Sequence, residues 1–463
     1  MHSDTPHILL VNPWIHDFAA YDVWAKPLGL LTLAAILRQH GCRLSYADCL
    51  VRFHPRAPHV NPFAHDGRGP YRKTHLPKPD LFPDVPRRFA RYGIDPGWFR
   101  EDLRRLPKPD LALVTSGMTY WYPGVQETVG ELKHVFPRTP VVLGGIYATL
   151  CPDHARRCSG ADEVCVGPAE PDLLDRVKAH TGWAPARRFD PEDLDSYPFP
   201  AFDLQRQISY VPLLTTRGCP YACAYCAAHL LQPRRLRRSP ASVVEELIHW
   251  HRRWAVSDFV LYDDAFLADR EGHSLPVLEA IVQSGLAVRF HTPNALHLRG
   301  ITPETARLMF AAGFTTLRFG LETAEFEDRS GLDHKVTAAE FEQALRWLKN
   351  AGFSNRQIGA YLLVGLPNQP AAAIARSIDA VQRAGITPVL AYYTPIPGTA
   401  LWSEAVASSR YDLTADPLYS NNSVLPCRRE PFNWKWLSEL KQRTASRRDR
   451  PGMGIDSRQG ARL

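Results

Sequence analysis

A chain of 463 residues that is 45% hydrophobic and 22% charged has the balance of an ordinary globular protein, and its length calls for two or three domains. That balance excludes wholesale disorder, and no apolar run approaches the ~20 residues that a bilayer-spanning helix needs, so no membrane span is expected. The formal charge of +7 is mild; arginines gather at 234–238 and at Arg443, Arg447, Arg448 and Arg450 without interleaved aromatics, which favours solvated surface over a nucleic-acid footprint.

The opening Met-His-Ser-Asp-Thr-Pro shows no secretory leader pattern, so a cytoplasmic protein is expected. Residues 7–12 form a short apolar run that reads as a strand. Residues 28–40 read as a helix, with Pro27 suited to its first turn and Gly41 to the position just past its end. Further strands are expected at 43–48, at 111–116, at 140–143 before Gly144-Gly145, and at 163–166 before Gly167. Val125, Val129, Leu132 and Phe136 recur at helical spacing between two of them. Strands alternating with helices imply a parallel sheet covered on both faces, so residues 1–170 are expected to form a doubly wound, Rossmann-like α/β domain. Residues 51–109 break the alternation with a stretch rich in Pro, Arg and His. So long a stretch is either a disordered insertion or a lid, and its aromatic residues, such as Phe53, Tyr71, Trp98 and Phe99, favour the lid.

Residues 171–207, with Asp190-Pro191 and Tyr197-Pro198-Phe199-Pro200, read as a linker. Six strands then follow at 210–216, 258–262, 287–291, 315–320, 358–364 and 388–394. Between them Ser239-Pro240 and Thr302-Pro303 open helices, and Thr337 with Glu340 forms a capping box. Residues 208–400 are therefore expected to form a partial (β/α)6 TIM-like barrel, whose chemistry belongs at the C-terminal ends of the strands. Residues 401–463 read as a helical appendix, with a helix near 434–447 and a frayed tail.

Of nine cysteines, three fall within eight residues: Cys219, Cys223 and Cys226, on the loop after the first barrel strand. A tight group in a cytosolic protein points to metal before disulfide. Iron–sulfur clusters normally take four cysteine ligands, so three leave one iron open to a substrate or cofactor. Two other readings use the same residues: a zinc site completed by His229, and a plain electron-transfer cluster. The other six cysteines, Cys42, Cys49, Cys151, Cys158, Cys165 and Cys427, read as small buried hydrophobes.

The C-x3-C-x2-C spacing, with Tyr225 before the last cysteine, resembles the signature of the radical S-adenosylmethionine (SAM) superfamily. The resemblance implies a 4Fe-4S cluster whose open iron is chelated by SAM and whose electron cleaves it to a 5′-deoxyadenosyl radical. It also implies an external electron donor of flavodoxin or ferredoxin type. It extends along the barrel. Tyr262-Asp263-Asp264-Ala265-Phe266 resembles the Asp-Asp-x-Phe version found in cobalamin-associated members, which makes Asp264 a candidate for the methionine ammonium. Phe319-Gly320-Leu321-Glu322 resembles a Gly-x-Glu segment, with Glu322 toward the ribose or the ammonium. Gly365-Leu366-Pro367 and Pro395-Ile396-Pro397-Gly398 resemble segments beside the adenine, which makes Gly365 and Pro397 candidates there.

The first 170 residues resemble the cobalamin-binding domain that precedes the barrel in one branch. The supporting segments are Leu9-Leu10-Val11-Asn12-Pro13, Pro27-Leu28-Gly29-Leu30 and Gly144-Gly145-Ile146-Tyr147-Ala148-Thr149. Ser116, Met118, Gly144, Gly145 and Gly167 fall on the edge where a doubly wound sheet binds its ligand. The Gly-Glu-Gly-Glu ending of many members is replaced here by Gly167-Pro168-Ala169-Glu170, and a cobalt-ligating Asp-x-His-x-x-Gly is absent. The resemblance implies a cobalamin-dependent radical enzyme acting on a small molecule or natural product. The competing readings are a radical enzyme whose first domain no longer binds cobalamin, and a non-catalytic iron–sulfur or zinc sensor. The aromatics of Met118-Thr119-Tyr120-Trp121-Tyr122 suit either a corrin face or an interface with the barrel.

Overall fold

The first strand, His7–Asn12 (β1), is buried at every position, as an inner strand covered on both faces should be. With Arg43–Asp48 (β2), Leu111–Val114 (β3), Val141–Leu143 (β4) and Glu163–Val164 (β5) it forms a parallel sheet in the order β2-β1-β3-β4-β5. This is the doubly wound arrangement, with its topological switch between β1 and β3. Helices Leu28–Gln39 and Leu173–Thr181 cover one face, and Tyr122–Val135 covers the other. The computed structural model describes residues 5–328, 331–333, 336–428 and 434–445. The expected frayed tail lies outside the described residues.

Residues 51–109 are built into the first domain. Lys73–His75 and Ala90–Tyr92 make a small antiparallel sheet with Ile15–Asp17. Pro96–Arg104 is the crossover helix that carries the chain from β2 to β3. Asp95 caps it through Gly97 N–H, and Phe99 and Leu103 are buried against Leu9 and Val11.

The second sheet contains Val211–Leu213 (β6), Asp258–Leu261 (β7), Arg289–His291 (β8), Phe314–Glu322 (β9), Ile358–Val364 (β10) and Thr387–Tyr392 (β11). Its strands pair in sequential order and all in parallel, as an open six-stranded barrel. The helix starts at Ser239, Thr302 and Thr337 are capped by those side chains, as expected. The largest core of the molecule fills the space between these strands and their helices.

Contacts at several places join the two halves. An arm between β1 and helix Leu28–Gln39 reaches the barrel, where Trp24 stacks on His291 at 4.5 Å and Lys26 Nζ donates to the Tyr210 carbonyl at 2.8 Å. Buried Asp17 accepts from Trp121 Nε1 at 2.7 Å and from Asn421 Nδ2 at 2.9 Å, which draws the C-terminal segment onto the loop after β3. Arg217 and Glu170, both nearly buried, form an ion pair at 2.7 Å.

Candidate functional site: a cysteine loop facing a sheet edge

The loop that carries the three cysteines is held from several directions. Thr216–Arg217 pairs antiparallel with Leu236–Arg237, so the loop begins in a two-residue ladder. Gly218 follows at φ +79, where an added Cβ would meet the Arg234 carbonyl oxygen at 2.5 Å; only glycine fits that turn. Ala224 N–H donates to the Leu332 carbonyl at 3.0 Å, and Leu401 N–H donates to the Ala224 carbonyl at 2.9 Å. The segments after β9 and β11 therefore clamp the loop.

Asp263 is the buried anchor beneath it. Its carboxylate accepts from Thr215 N–H (3.1 Å), Thr215 Oγ1 (2.6 Å), Thr216 N–H (2.6 Å) and Thr216 Oγ1 (2.7 Å). A carboxylate with its acceptor sites so occupied is a structural staple, and the adjacent Asp264 is left for the mouth of the barrel. Asp264 accepts from Gly218 N–H, and enclosure by protein, ahead of the neighbouring Asp263 charge, pushes its carboxyl above the usual range.

Cys219, Cys223 and Cys226 are all half-buried and in no disulfide. The Cys226 sulfur accepts from Ala228 N–H at 3.4 Å, the kind of bond that tunes a cluster sulfur. Among the described residues no three His, Cys, Asp or Glu side chains converge closely enough for a single ion. A cubane, unlike a single zinc ion, asks each thiolate to reach a different metal atom. Tyr221 lies by Cys219 and Cys223 and stacks on His297 at 4.1 Å. Three thiols on one clamped loop at the strand ends form a donor set that fits a three-cysteine cluster.

Other residues singled out from the sequence meet this loop. Tyr225 is close to Glu322 and Cys223; burial first, and then the Glu322 charge, pushes its phenol far up. Glu322 ends β9 buried, in the left-handed region at φ +63, where the β9–β10 register slips. A non-glycine residue held there carries backbone strain, and such strain clusters at ligand sites. Gly365, at φ +91, donates its N–H to Gln369 Oε1 at 2.8 Å just past β10. Pro397 lies in the turn after β11, where Thr399 N–H and Oγ1 donate to the Ile396 carbonyl.

At the first domain's edge, Gly145 stands at φ +96 with the Ser116 carbonyl oxygen 2.4 Å from where a Cβ would be. Ser116 Oγ donates to the Gly144 carbonyl at 2.6 Å and accepts from Ala148 N–H at 3.3 Å, so it stitches the ends of β3 and β4. Thr149, which the sequence offered only as the end of a resembling segment, donates to the Gly145 carbonyl and accepts from Gly167 N–H, which adds β5 to the stitch. A Cβ on Gly167 would meet nothing within 4 Å, one on Gly144 would meet only Cys165 at 3.9 Å, and Ile146 and Val166 expose apolar surface beside them. This open, apolar cradle fits the face of a corrin. Met118 and Tyr120 join an aromatic cluster with Phe18, Phe82 and Leu418, Trp121 bonds Asp17, and Tyr122 bonds Asp416 at 2.9 Å. These aromatics therefore form an interface with the arm and the C-terminal segment.

Two family models match this chain: the B12 binding domain over residues 97–174 and the radical SAM superfamily over residues 213–398. The chain carries a radical SAM domain preceded by a B12-binding domain. It is a radical SAM enzyme with a B12-binding domain ahead of its barrel, and its cofactors are a 4Fe-4S cluster, SAM and cobalamin. It is 24% identical to an uncharacterised methyltransferase of Pyrococcus horikoshii over 330 residues, covering 65% of this chain and 70% of the relative. It is 21% identical to the cytidylyl-2-hydroxyethylphosphonate methyltransferase of Streptomyces wedmorensis, covering 88% and 82%. The solved radical SAM methyltransferase TsrM of Kitasatospora setae shares the fold, with a TM-score of 0.65 at 17% identity, over 87% of this chain and 76% of that one. Among the described residues no helix is long and apolar enough to cross a membrane.

Proposed function

We propose that this chain is a cobalamin-dependent radical SAM methyltransferase acting on a small organic molecule, with the domain limits 1–170, 171–207, 208–400 and 401–463. The observation that carries the reading is the buried Arg217–Glu170 ion pair. Arg217 lies two residues before Cys219, and Glu170 lies three residues past Gly167, so the cysteine loop and the B12-type edge are tied at one place. When bound, the cluster with SAM supplies a carbon-activating radical, and cobalamin supplies a methyl group.

In this reading Cys219, Cys223 and Cys226 hold the cluster as thiolates and leave one iron open. Glu322 and Asp264 take the ammonium and hydroxyl groups of SAM by charge-assisted bonds. Tyr225 walls the pocket beside Glu322, and Gly365 and Pro397 border the adenine. Gly144, Gly145 and Gly167 admit the corrin, with Ser116 and Met118 supporting their loops. An external flavodoxin- or ferredoxin-type protein supplies electrons, and the cytoplasm is the setting. The names of both relatives described above, which are methyltransferases, support methyl transfer as the outcome.

The test is anaerobic reconstitution with iron, sulfide and hydroxocobalamin, then assay with SAM and a strong reductant. Formation of 5′-deoxyadenosine and S-adenosylhomocysteine is expected, with both lost in Cys223→Ala. SAM cleavage without corrin binding would return the cobalamin-free reading; protein that takes up no iron and sulfide would end the proposal altogether.

A further inference from the structure

A cavity of about 280 Å3 lies away from the cysteine loop. Its walls come from the ends of β1 and β2, from Lys26 on the arm, from the crossover helix Pro96–Arg104 and from residues 204–210 ahead of β6. It takes nothing from the C-terminal ends of the barrel strands. Its volume is near the lower end for small-molecule pockets.

The cavity is charged and incompletely satisfied. Its cations are Lys26, Arg52, Arg105 and Arg206, against the carboxylates of Asp22, Asp48 and Asp102. Those carboxylates have partners already. Asp22 accepts from Arg52, Tyr210 and Ala25 N–H, Asp48 from Asn12 and Leu50 N–H, and Asp102 from His54 and Arg56. The cations are less well served. Arg105 and Arg206 approach Asp102 only at 3.8 and 3.9 Å and are largely exposed at the mouth. Arg52, with a side chain 5% exposed, uses its terminal nitrogens on Asp22 and on the Gly67 and Arg68 carbonyls, and its Nε has no partner. Tyr46 lies against Gln205 and Asp48 nearby, but neither its hydroxyl nor the Gln205 amide oxygen makes a well-formed hydrogen bond. Buried polar groups left open in this way require water or a ligand.

We propose that this cavity is a second binding site, separate from the cofactor site, for a small organic anion bearing a carboxylate, sulfate or phosphate group. The mouth arginines capture the charge, and Arg52 with the Tyr46–Gln205 pair bonds the interior end. Lys26 adds a linked signature. Burial pushes its amine down to about 7, despite the Asp22 and Asp48 charges that face it; the amine donates to the Tyr210 carbonyl and sits over the Tyr210 ring at 4.4 Å and the Phe202 ring at 5.6 Å. An anion beside the amine raises that value again, so binding above neutrality takes up a proton.

Isothermal titration of the full-length protein at pH 8 with malonate and with sulfate, in buffers of different ionisation enthalpy, tests this. One saturable event with proton uptake is expected, unaffected by saturating hydroxocobalamin. Arg105→Ala with Arg206→Ala should weaken it tenfold or more with an unchanged melting temperature, and Lys26→Met should remove the proton uptake. Competition by hydroxocobalamin would mean that the cavity houses the nucleotide tail of the corrin. Heats absent, or unchanged in the double arginine variant, would mean a water-filled crevice. Either result overturns the proposal.

Discussion

Adjacent residues Asp263 and Asp264 are chemically identical and do different work. Asp263 accepts four hydrogen bonds from Thr215 and Thr216, both buried. Asp263→Ala leaves those two backbone N–H groups without an acceptor, at about 1–3 kcal/mol each. A stability loss of about 3 kcal/mol or more in urea unfolding is expected, together with reduced iron retention; Asp263→Asn, which keeps an acceptor oxygen, should lose less. Asp264→Asn should leave stability within about 0.5 kcal/mol, as a mouth residue allows. The family resemblance made Asp264 a candidate for the methionine ammonium, and nothing in the sequence showed the role of Asp263. Alternation separates the two faces of a strand only while the strand lasts, and β7 ends at Leu261. The cysteines were easier to read, because their spacing is local and needs no knowledge of the fold. The role of Thr149 was not legible for the opposite reason: its partners Gly145 and Gly167 come together only when β4 and β5 pair.

The elements themselves were legible wherever apolar periodicity was unbroken. Five strands of the first sheet and six of the second lie where alternation placed them: His7–Asn12, Arg43–Asp48 and Ile358–Val364 match at both ends, and the others have an end shifted by one to three residues. The crossover helix Pro96–Arg104 was missed. Only Phe99 and Leu103 mark its buried side, within a stretch dominated by Pro and Arg, and its start depends on the single cap Asp95. Gly145 shows how an element end can be dictated by one residue. At φ +96, with Ser116 backbone atoms 2.4 and 2.7 Å from a notional Cβ, alanine must displace the β3 end or unwind the first turn of Ile146–Leu150. Gly145→Ala is expected to cost about 2–3 kcal/mol and to lower hydroxocobalamin affinity at least tenfold in spectrophotometric titration. Iron content should remain normal, because the barrel does not depend on that turn. Unaltered corrin binding in a folded Gly145→Ala protein would remove this edge from the cobalamin site.

The proposed reaction requires the two sheet edges to keep a fixed separation, and no single sequence displays the pairs that fix it. Glu170 and Arg217 are 47 residues apart on different domains, yet their side chains are 7% and 11% exposed and meet at 2.7 Å. Sequence reading treated Glu170 only as the end of a Gly167-Pro168-Ala169-Glu170 variant. The fold makes it the partner of the residue that starts the cysteine loop. Removing one member of a buried pair strands the other charge, at about 3–5 kcal/mol. Glu170→Ala should therefore loosen the domains more than it unfolds either one. Trp24 on His291 and Asp17 with Asn421 still hold the arm and the C-terminal segment, so complete separation is not expected. Calorimetry should resolve two transitions in the variant where the parent shows more overlap, with the barrel's transition shifted less than the first domain's. Glu170→Gln, which keeps an acceptor for Arg217, should fall between. Because cysteines and cluster remain intact, iron content should hold while SAM-dependent methyl transfer falls tenfold or more. An equal loss of iron in Glu170→Ala would instead mean that the pair supports the cysteine loop alone, without setting the distance between the cofactors.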